Sequence, residues 1–237
     1  MHLDGRSAII TGASTGIGRA TAKTLAAAGA QVGLAARTRA DLAELAEEIE
    51  TNGGEALVLP TDVRDRDQVE SMILATQEAF DGLDIMVNNA GVGHWEREGV
   101  VAGDLEEWTR EIEVNLLGLM YGTHVAATVM EEAGSGDIVN IGSGSGRTTA
   151  QPWVSYVASK WGVRGFTESS MRALRADGIR VTHLSPGAVE TPIQPEADIE
   201  SMQMLQPEDV ADAIRYVVSR PDRVCINDLM LIPSGRG

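Results

Sequence analysis

Apolar positions along the chain recur in two alternating rhythms. Short apolar runs at 7–11, 31–35, 56–59, 84–88, 137–141, 180–184 and 229–232 read as buried strands. Between them, apolar side chains return every three or four positions. Ile17, Ala20, Thr21, Thr24 and Leu25 mark a helix over 16–28, with Gly29 where a C-terminal cap belongs. Leu42, Leu45 and Ile49 mark the next, which stops at Asn52-Gly53-Gly54, and Val69, Ile73, Thr76 and Phe80 mark a third. Longer helices are predicted over 104–130 and 154–176, and Pro207 opens a last one carrying Val210, Ile214 and Val217. Strands alternating with helices of this length imply parallel pairing, hence an α/β fold of doubly wound type. The least regular segments, 91–103, 142–153 and 186–206, each follow a strand. They are expected at the carboxyl edge of the sheet, where open α/β sheets bind ligands.

Composition narrows the possibilities. The chain has 237 residues, 43% of them hydrophobic, which suits one domain over 1–237. No apolar run approaches the ~20 residues of a membrane span, and the polar start at 1–7 does not read as a signal peptide. A cytoplasmic protein is expected. The single cysteine, Cys225, excludes an intramolecular disulfide, and the four histidines have no metal-ligand spacing, so no metal is expected. A formal charge of −16 argues against partners such as nucleic acid or an anionic membrane. The acidity fits either an ordinary acidic protein of a high-GC genome or adaptation to high salt.

Two sequence clusters carry chemistry. Thr11-Gly12-Ala13-Ser14-Thr15-Gly16-Ile17-Gly18 joins the first strand to the first helix. Glycines there permit a tight turn and close backbone approach, and the helix N-terminus offers free N–H groups to a pyrophosphate. A dinucleotide site normally has an acid after the second strand to hold the ribose hydroxyls. This chain reads Leu34-Ala35-Ala36-Arg37-Thr38-Arg39 instead. A guanidinium suits a 2′-phosphate, which points to NADP(H) in preference to NAD(H). The bland alternative is that Arg37 and Arg39 are solvated arginines at a helix start.

The second cluster is Tyr156-Val157-Ala158-Ser159-Lys160, with Tyr156 and Lys160 on one helical face. A nearby ammonium favours the phenolate and is expected to lower the tyrosine pKa toward useful acid/base chemistry. A surface pair at helical spacing is the alternative. Against it, Lys23 and Lys160 are the only lysines, and the pair follows the small-residue run Gly142 to Gly146.

Together these residues resemble the compact, single-domain branch of the short-chain dehydrogenase/reductase family. The matching elements are Thr11 to Gly18, Asp62-Val63, Asn88-Asn89-Ala90-Gly91, Asn115, Ile141-Gly142-Ser143, Tyr156 to Lys160, and Pro186-Gly187 with Thr191. The resemblance implies a Rossmann-type sheet of about seven parallel strands with helices on both faces. It implies a hydride transfer between nicotinamide and a carbonyl or alcohol carbon. Tyr156 would be the acid/base, and Ser143 would bind the substrate oxygen, with Ser145 a neighbouring candidate. Lys160 would bind the nicotinamide ribose and tune the tyrosine, and Asn115 would hold a water in a proton relay.

For the cofactor, the resemblance implies contacts from Gly12, Ser14, Thr15, Gly16, Ile17, Gly18 and Arg37. It adds Asp62 and Val63 at the adenine, Asn89, Ala90 and Gly91 at the central sheet, and Pro186, Gly187, Val189 and Thr191 at the nicotinamide. A homodimer or homotetramer is implied as well.

Gly142 departs from the family, which often has a second serine there, and the stretch from Thr191 to Pro207 is shorter than many relatives' substrate lids. Position alone makes His94, Trp95, Gly144, Trp153, Val154, Gly187, Ile193 and Gln194 substrate-pocket candidates. A non-catalytic NADP(H) sensor on the same fold has no need of the acid/base pair, and 237 residues leave little room for the substrate domain that an extended-branch epimerase or dehydratase adds.

Overall fold

The structure, a computed structural model, describes residues 2–94, 100–149, 153–194 and 203–235. Seven parallel strands form one sheet in the order β3-β2-β1-β4-β5-β6-β7. They are β1 (Ser7–Thr11), β2 (Gln31–Ala36), β3 (Glu55–Pro60), β4 (Ile85–Asn88), β5 (Gly136–Ile141), β6 (Ile179–Pro186) and β7 (Asp228–Leu231). The helices are α1 (Gly16–Ala27), α2 (Arg39–Thr51), α3 (Arg66–Phe80), α4 (Leu105–Ile112), α5 (Leu119–Ala133), α6 (Val154–Ala173) and α7 (Pro207–Val218). The strand order reverses between β1 and β4, and a crevice opens at such a switch point outside the strands' carboxyl ends.

Side chains alternate across β1, so one strand feeds two cores. Ala8 and Ile10 join Leu25, Leu42, Leu45, Val210 and Ile214 on the face covered by α1, α2 and α7. Ile9 joins Val69, Ile73, Met86, Ala126 and Met130 under α3 and α5. Most of the apolar positions that predict the helices, among them Leu25, Leu42, Leu45, Ile49, Val69, Ile73, Val210, Ile214 and Val217, fill these cores. Among the described residues, no helix is long and apolar enough to cross a membrane.

Two elements differ from the sequence expectation. The helix expected over 104–130 is broken by a π-helical turn at Glu113–Gly118, between α4 and α5. A widened turn of this kind places one extra residue in the helix and often marks a functional site. The helix expected over 154–176 ends at Ala173 and tightens to a 3-10 turn at Leu174–Asp177. A buried polar network ties the middle of the sheet to its helices. Asn88 donates to Thr123 (3.1 Å) and Asn140 (2.8 Å), and Asn140 donates to Thr167 (3.1 Å). Those bonds join β4 and β5 to α5 and α6, and so fix α6 against the strand that leads to Ser143.

Candidate active site

A cleft of about 500 Å³ runs along the carboxyl edge of the sheet. It gathers Gly12, Ser14, Thr15, Gly16, Ile17, Arg37, Asp62, Val63, Asn89, Ala90 and Gly91 with Ser143, Tyr156, Lys160, Pro186, Gly187, Val189, Thr191 and Ile193. These positions are scattered over 180 residues of chain, and the fold brings them to one wall.

The turn after β1 is built for close approach. Gly12 and Gly16 have φ of +68° and +51°, values a side chain disfavours. Gly18 lies beneath the cleft. A Cβ there would stand 2.2 Å from the Gly12 carbonyl oxygen, so only glycine lets α1 pack this near the turn. Asn89 latches the turn to β4, donating from its side chain to the Thr11 carbonyl at 2.8 Å, while the Thr11 hydroxyl accepts from the Asn89 and Ala90 amides at 3.0 Å. The first turn of α1 carries no acidic residue that would compete with an anion. A shallow, backbone-lined floor at a helix N-terminus fits a dinucleotide pyrophosphate.

At the adenosine end, Arg37 is exposed and Ala36 offers no carboxylate. Arg39 does not line the cleft, which separates the two arginines that sequence leaves together. Sequence reasoning missed Arg64 and Arg110, which also line it. Arg64 grips Asp62 through Nε at 3.0 and 3.1 Å and through a terminal nitrogen at 2.6 Å. That bond, first, and the more distant Arg37 charge hold the Asp62 carboxyl below the usual range. The signal for Arg64 was its place directly after Asp62-Val63.

The other end holds Tyr156 and Lys160, both in the first two turns of α6. Lys160 is 5% exposed. Its Nζ donates to the Ile141 carbonyl at 3.2 Å and lies 5.6 Å from the Tyr156 ring centroid. Burial pulls the Lys160 ammonium down to about 8, against the Glu111 charge that supports it. Burial pushes the Tyr156 phenol up; a hydrogen bond from Ser143 pulls it down, and Glu111 pushes it up again. The net direction is up, opposite to the lowering expected from Lys160: in a site this dry, the cost of desolvating a phenolate is the largest effect.

Ser143 ends β5 in extended backbone, and its Oγ accepts from the Ser145 amide at 3.1 Å. That assigns Ser145 to the turn that shapes Ser143. Asn115 lies in the π-helical turn behind the cleft. Its side chain accepts from the Val92 amide (2.8 Å) and donates to the Val92 carbonyl (2.9 Å) and the Ser159 hydroxyl (3.1 Å). It thus pins the loop after β4 to α6.

The substrate-pocket candidates divide. Gly187, Ile193 and Gln194 line the cleft, whereas His94, Gly144, Trp153 and Val154 do not, and Trp95 lies outside the described residues. Trp153 caps the start of α6, and Gly144 sits in a 3-10 turn over Met230 and Pro186. Among the described residues, no group of three His, Cys, Asp or Glu side chains could hold a metal.

Comparison with known proteins gives a consistent picture. A family model described as short chain dehydrogenase matches residues 6–201. An uncharacterised oxidoreductase of Staphylococcus saprophyticus is 35% identical over 235 residues, covering 98% of this chain and 99% of that protein. The crystal structure of a metagenomic short-chain oxidoreductase in complex with NADP superposes with a TM-score of 0.87 at 31% identity, covering 98% of both chains. An alcohol dehydrogenase from the archaeon Thermococcus sibiricus, complexed with 5-hydroxy-NADP, gives a TM-score of 0.86 at 30% identity, covering 95% of both chains.

Proposed function

Since the chain belongs to the short-chain dehydrogenase family of oxidoreductases, we propose that it is an NADP(H)-dependent enzyme acting on a carbonyl or secondary alcohol carbon, with Tyr156 as acid and base. The observation that carries this reading is the junction of two halves in one cleft. A glycine floor suited to a pyrophosphate continues into a wall bearing the Ser143, Tyr156 and Lys160 side chains.

NADPH, when bound, supplies the hydride that forms the new C–H bond. The Gly12 to Gly18 turn would hold its pyrophosphate. Arg37 would meet the 2′-phosphate with a charge-assisted bond, and Asp62 and Val63 would meet the adenine. Val189 and Thr191 would face the nicotinamide end.

The chain's own chemistry is proton transfer. In reduction, the Tyr156 hydroxyl gives its proton to the substrate oxygen while the Ser143 hydroxyl holds that oxygen in place. The O–H bond of Tyr156 breaks as the O–H bond of the alcohol forms, and the phenolate left behind is stabilised by the Lys160 ammonium. The upward push on the phenol keeps Tyr156 protonated at neutral pH, the state that reduction requires. Lys160, with Asn115 behind it, would serve the route by which that proton is restored.

The test is NADPH oxidation across ketones, aldehydes and oxo acids, at low and at molar salt, with Tyr156→Phe beside the wild type. Turnover of at least one carbonyl is expected, with a loss of ~10²-fold or more in the variant while NADPH still binds, the usual scale of acid–base catalysis. Turnover close to wild type in folded Tyr156→Phe would refute the mechanism.

A further inference from the structure

Among the described residues, two acidic side chains are fully withdrawn from solvent, Asp137 and Glu111. Asp137 pairs with Arg6 and Arg180 at the start of β5, away from the cleft. Glu111 lies on α4, four residues before Asn115 and hence on the same helical side. It is 0% exposed, on an element otherwise open to solvent. One of its oxygens accepts from the His94 amide at 2.5 Å, and the other accepts from the Ser155 hydroxyl. His94 belongs to the loop after β4, the loop that Asn115 holds through Val92. Ser155 directly precedes Tyr156. A single carboxylate therefore bridges the loop beside the cleft and the first turn of the helix that carries the reacting pair. A backbone amide can only donate, and with the Ser155 hydroxyl turned toward it the other oxygen accepts as well. Each oxygen of a charged carboxylate then has a donor.

We propose, resting on the reading of Tyr156 and Lys160 above, that Glu111 is a positioning residue: its carboxylate clamps the 92–94 loop to the first turn of α6 and sets a fixed negative charge behind the reacting pair. The groups facing Tyr156 are Lys160 on its own helix, Glu111 from α4 and the neutral Ser143 hydroxyl from the end of β5. Among the described residues, Tyr156 and Lys160 from α6 face Glu111, and His94 is the titratable residue of the 92–94 stretch that it holds. A negative charge here raises the proton affinity of both members of the pair. It favours the protonated tyrosine needed to give up a proton, and opposes the phenolate needed to accept one. Glu111 thereby biases the site toward carbonyl reduction.

Glu111→Gln tests the charge while keeping the shape. The amide oxygen can still accept from His94, and the amide nitrogen can donate to a rotated Ser155 hydroxyl. With the charge gone, the pair loses its protons at lower pH. The acid limb of alcohol oxidation and the alkaline limb of carbonyl reduction should both move to lower pH. At pH 7, oxidation relative to its alkaline plateau should rise about threefold or more, the change that half a pH unit gives. Substrate KM should stay near wild type. Glu111→Ala, which also loses the clamp, should show the same movement with a raised KM. If Glu111→Gln does not fold, Glu111→Met, similar in volume and uncharged, should move the profile in the same way.

Profiles of a folded, uncharged variant that overlay the wild type would overturn the proposal, even if stability fell, because a merely structural residue leaves the limbs in place. Tyr156→Phe, assayed alongside, separates the two readings. If it is inactive while the profiles overlay, only the role of Glu111 fails. If it is active, the reading of the pair fails first.

Discussion

At one end of the cleft, Arg37 is exposed and the Asp62–Arg64 pair is partly exposed; at the other, Lys160 is 5% exposed and Glu111 is fully buried. The same kinds of charge act differently in the two places. Solvent and salt weaken an exposed guanidinium, so the adenosine end can tune cofactor choice by a modest factor but does little else. Burial strengthens every interaction at the reacting end and sets which groups carry protons. On the proposed reading, the exposed half discriminates between ligands and the buried half sets chemical state.

The larger break of this comparison is at the adenosine end. A charge-assisted bond from Arg37 to a 2′-phosphate contributes about 1.5–3 kcal/mol, a preference for NADPH over NADH of about 10- to 100-fold. Ala36→Asp with Arg37→Ala adds a ribose acceptor and removes the phosphate partner, so kcat/KM for the two cofactors should reverse order. Maximal turnover with the better cofactor should hold, because nothing at the buried end has changed. A wild type that prefers NADH, or a double variant that keeps its NADPH preference, would make Arg37 a solvated helix-start arginine.

The smaller break is at the buried end, where packing and charge are inseparable. Gly142, which departs from the family's usual serine, sits against His183 on β6. A Cβ at Gly142 would stand 2.2 Å from the His183 Nε2. His183 is 1% exposed, its Nδ1 lies 3.3 Å from Asp228 Oδ1, and its Nε2 has no hydrogen-bond partner among the described residues. Burial pushes His183 below its usual pKa. Gly142→Ser should cost about 1–3 kcal/mol through overpacking. In the His183→Ala background, which vacates the space, the same serine should cost much less. Thermal melts of the two singles and the double measure this coupling. Equal costs in both backgrounds would show that His183 does not dictate the glycine.

The features legible in sequence are those whose signal is local. The Gly12 to Gly18 turn, Tyr156 with Lys160, and Arg37 beside Ala36 are each read within a few residues, and each lies in the cleft. The strands were legible because a sheet buried on both faces makes short apolar runs. Partners distant along the chain were not legible. Glu111 and Ser155 are 44 residues apart, and Asn88 and Asn140 are 52 apart. Glu111 did leave a trace, an acid four residues before Asn115 on the inward side of a helix. The π-helical turn at Glu113–Gly118 has no local propensity signature in the sequence. Loop position alone makes His94, Gly144 and Trp153 pocket candidates, but a loop at the right edge need not aim each residue into the cleft.

The central claim is that this oxidoreductase moves a proton at a buried pair while an exposed arginine selects the cofactor. The most direct measurement is a salt titration of steady-state NADPH oxidation, from about 0.05 M to about 1 M, with a carbonyl from the substrate screen. Over this range the Debye length falls from more than 10 Å to about 3 Å. KM for NADPH should rise several-fold as the Arg37 contact is screened, while kcat at saturating NADPH stays within about twofold. A kcat that falls in step with cofactor affinity, or a KM for NADPH indifferent to salt, would contradict the account.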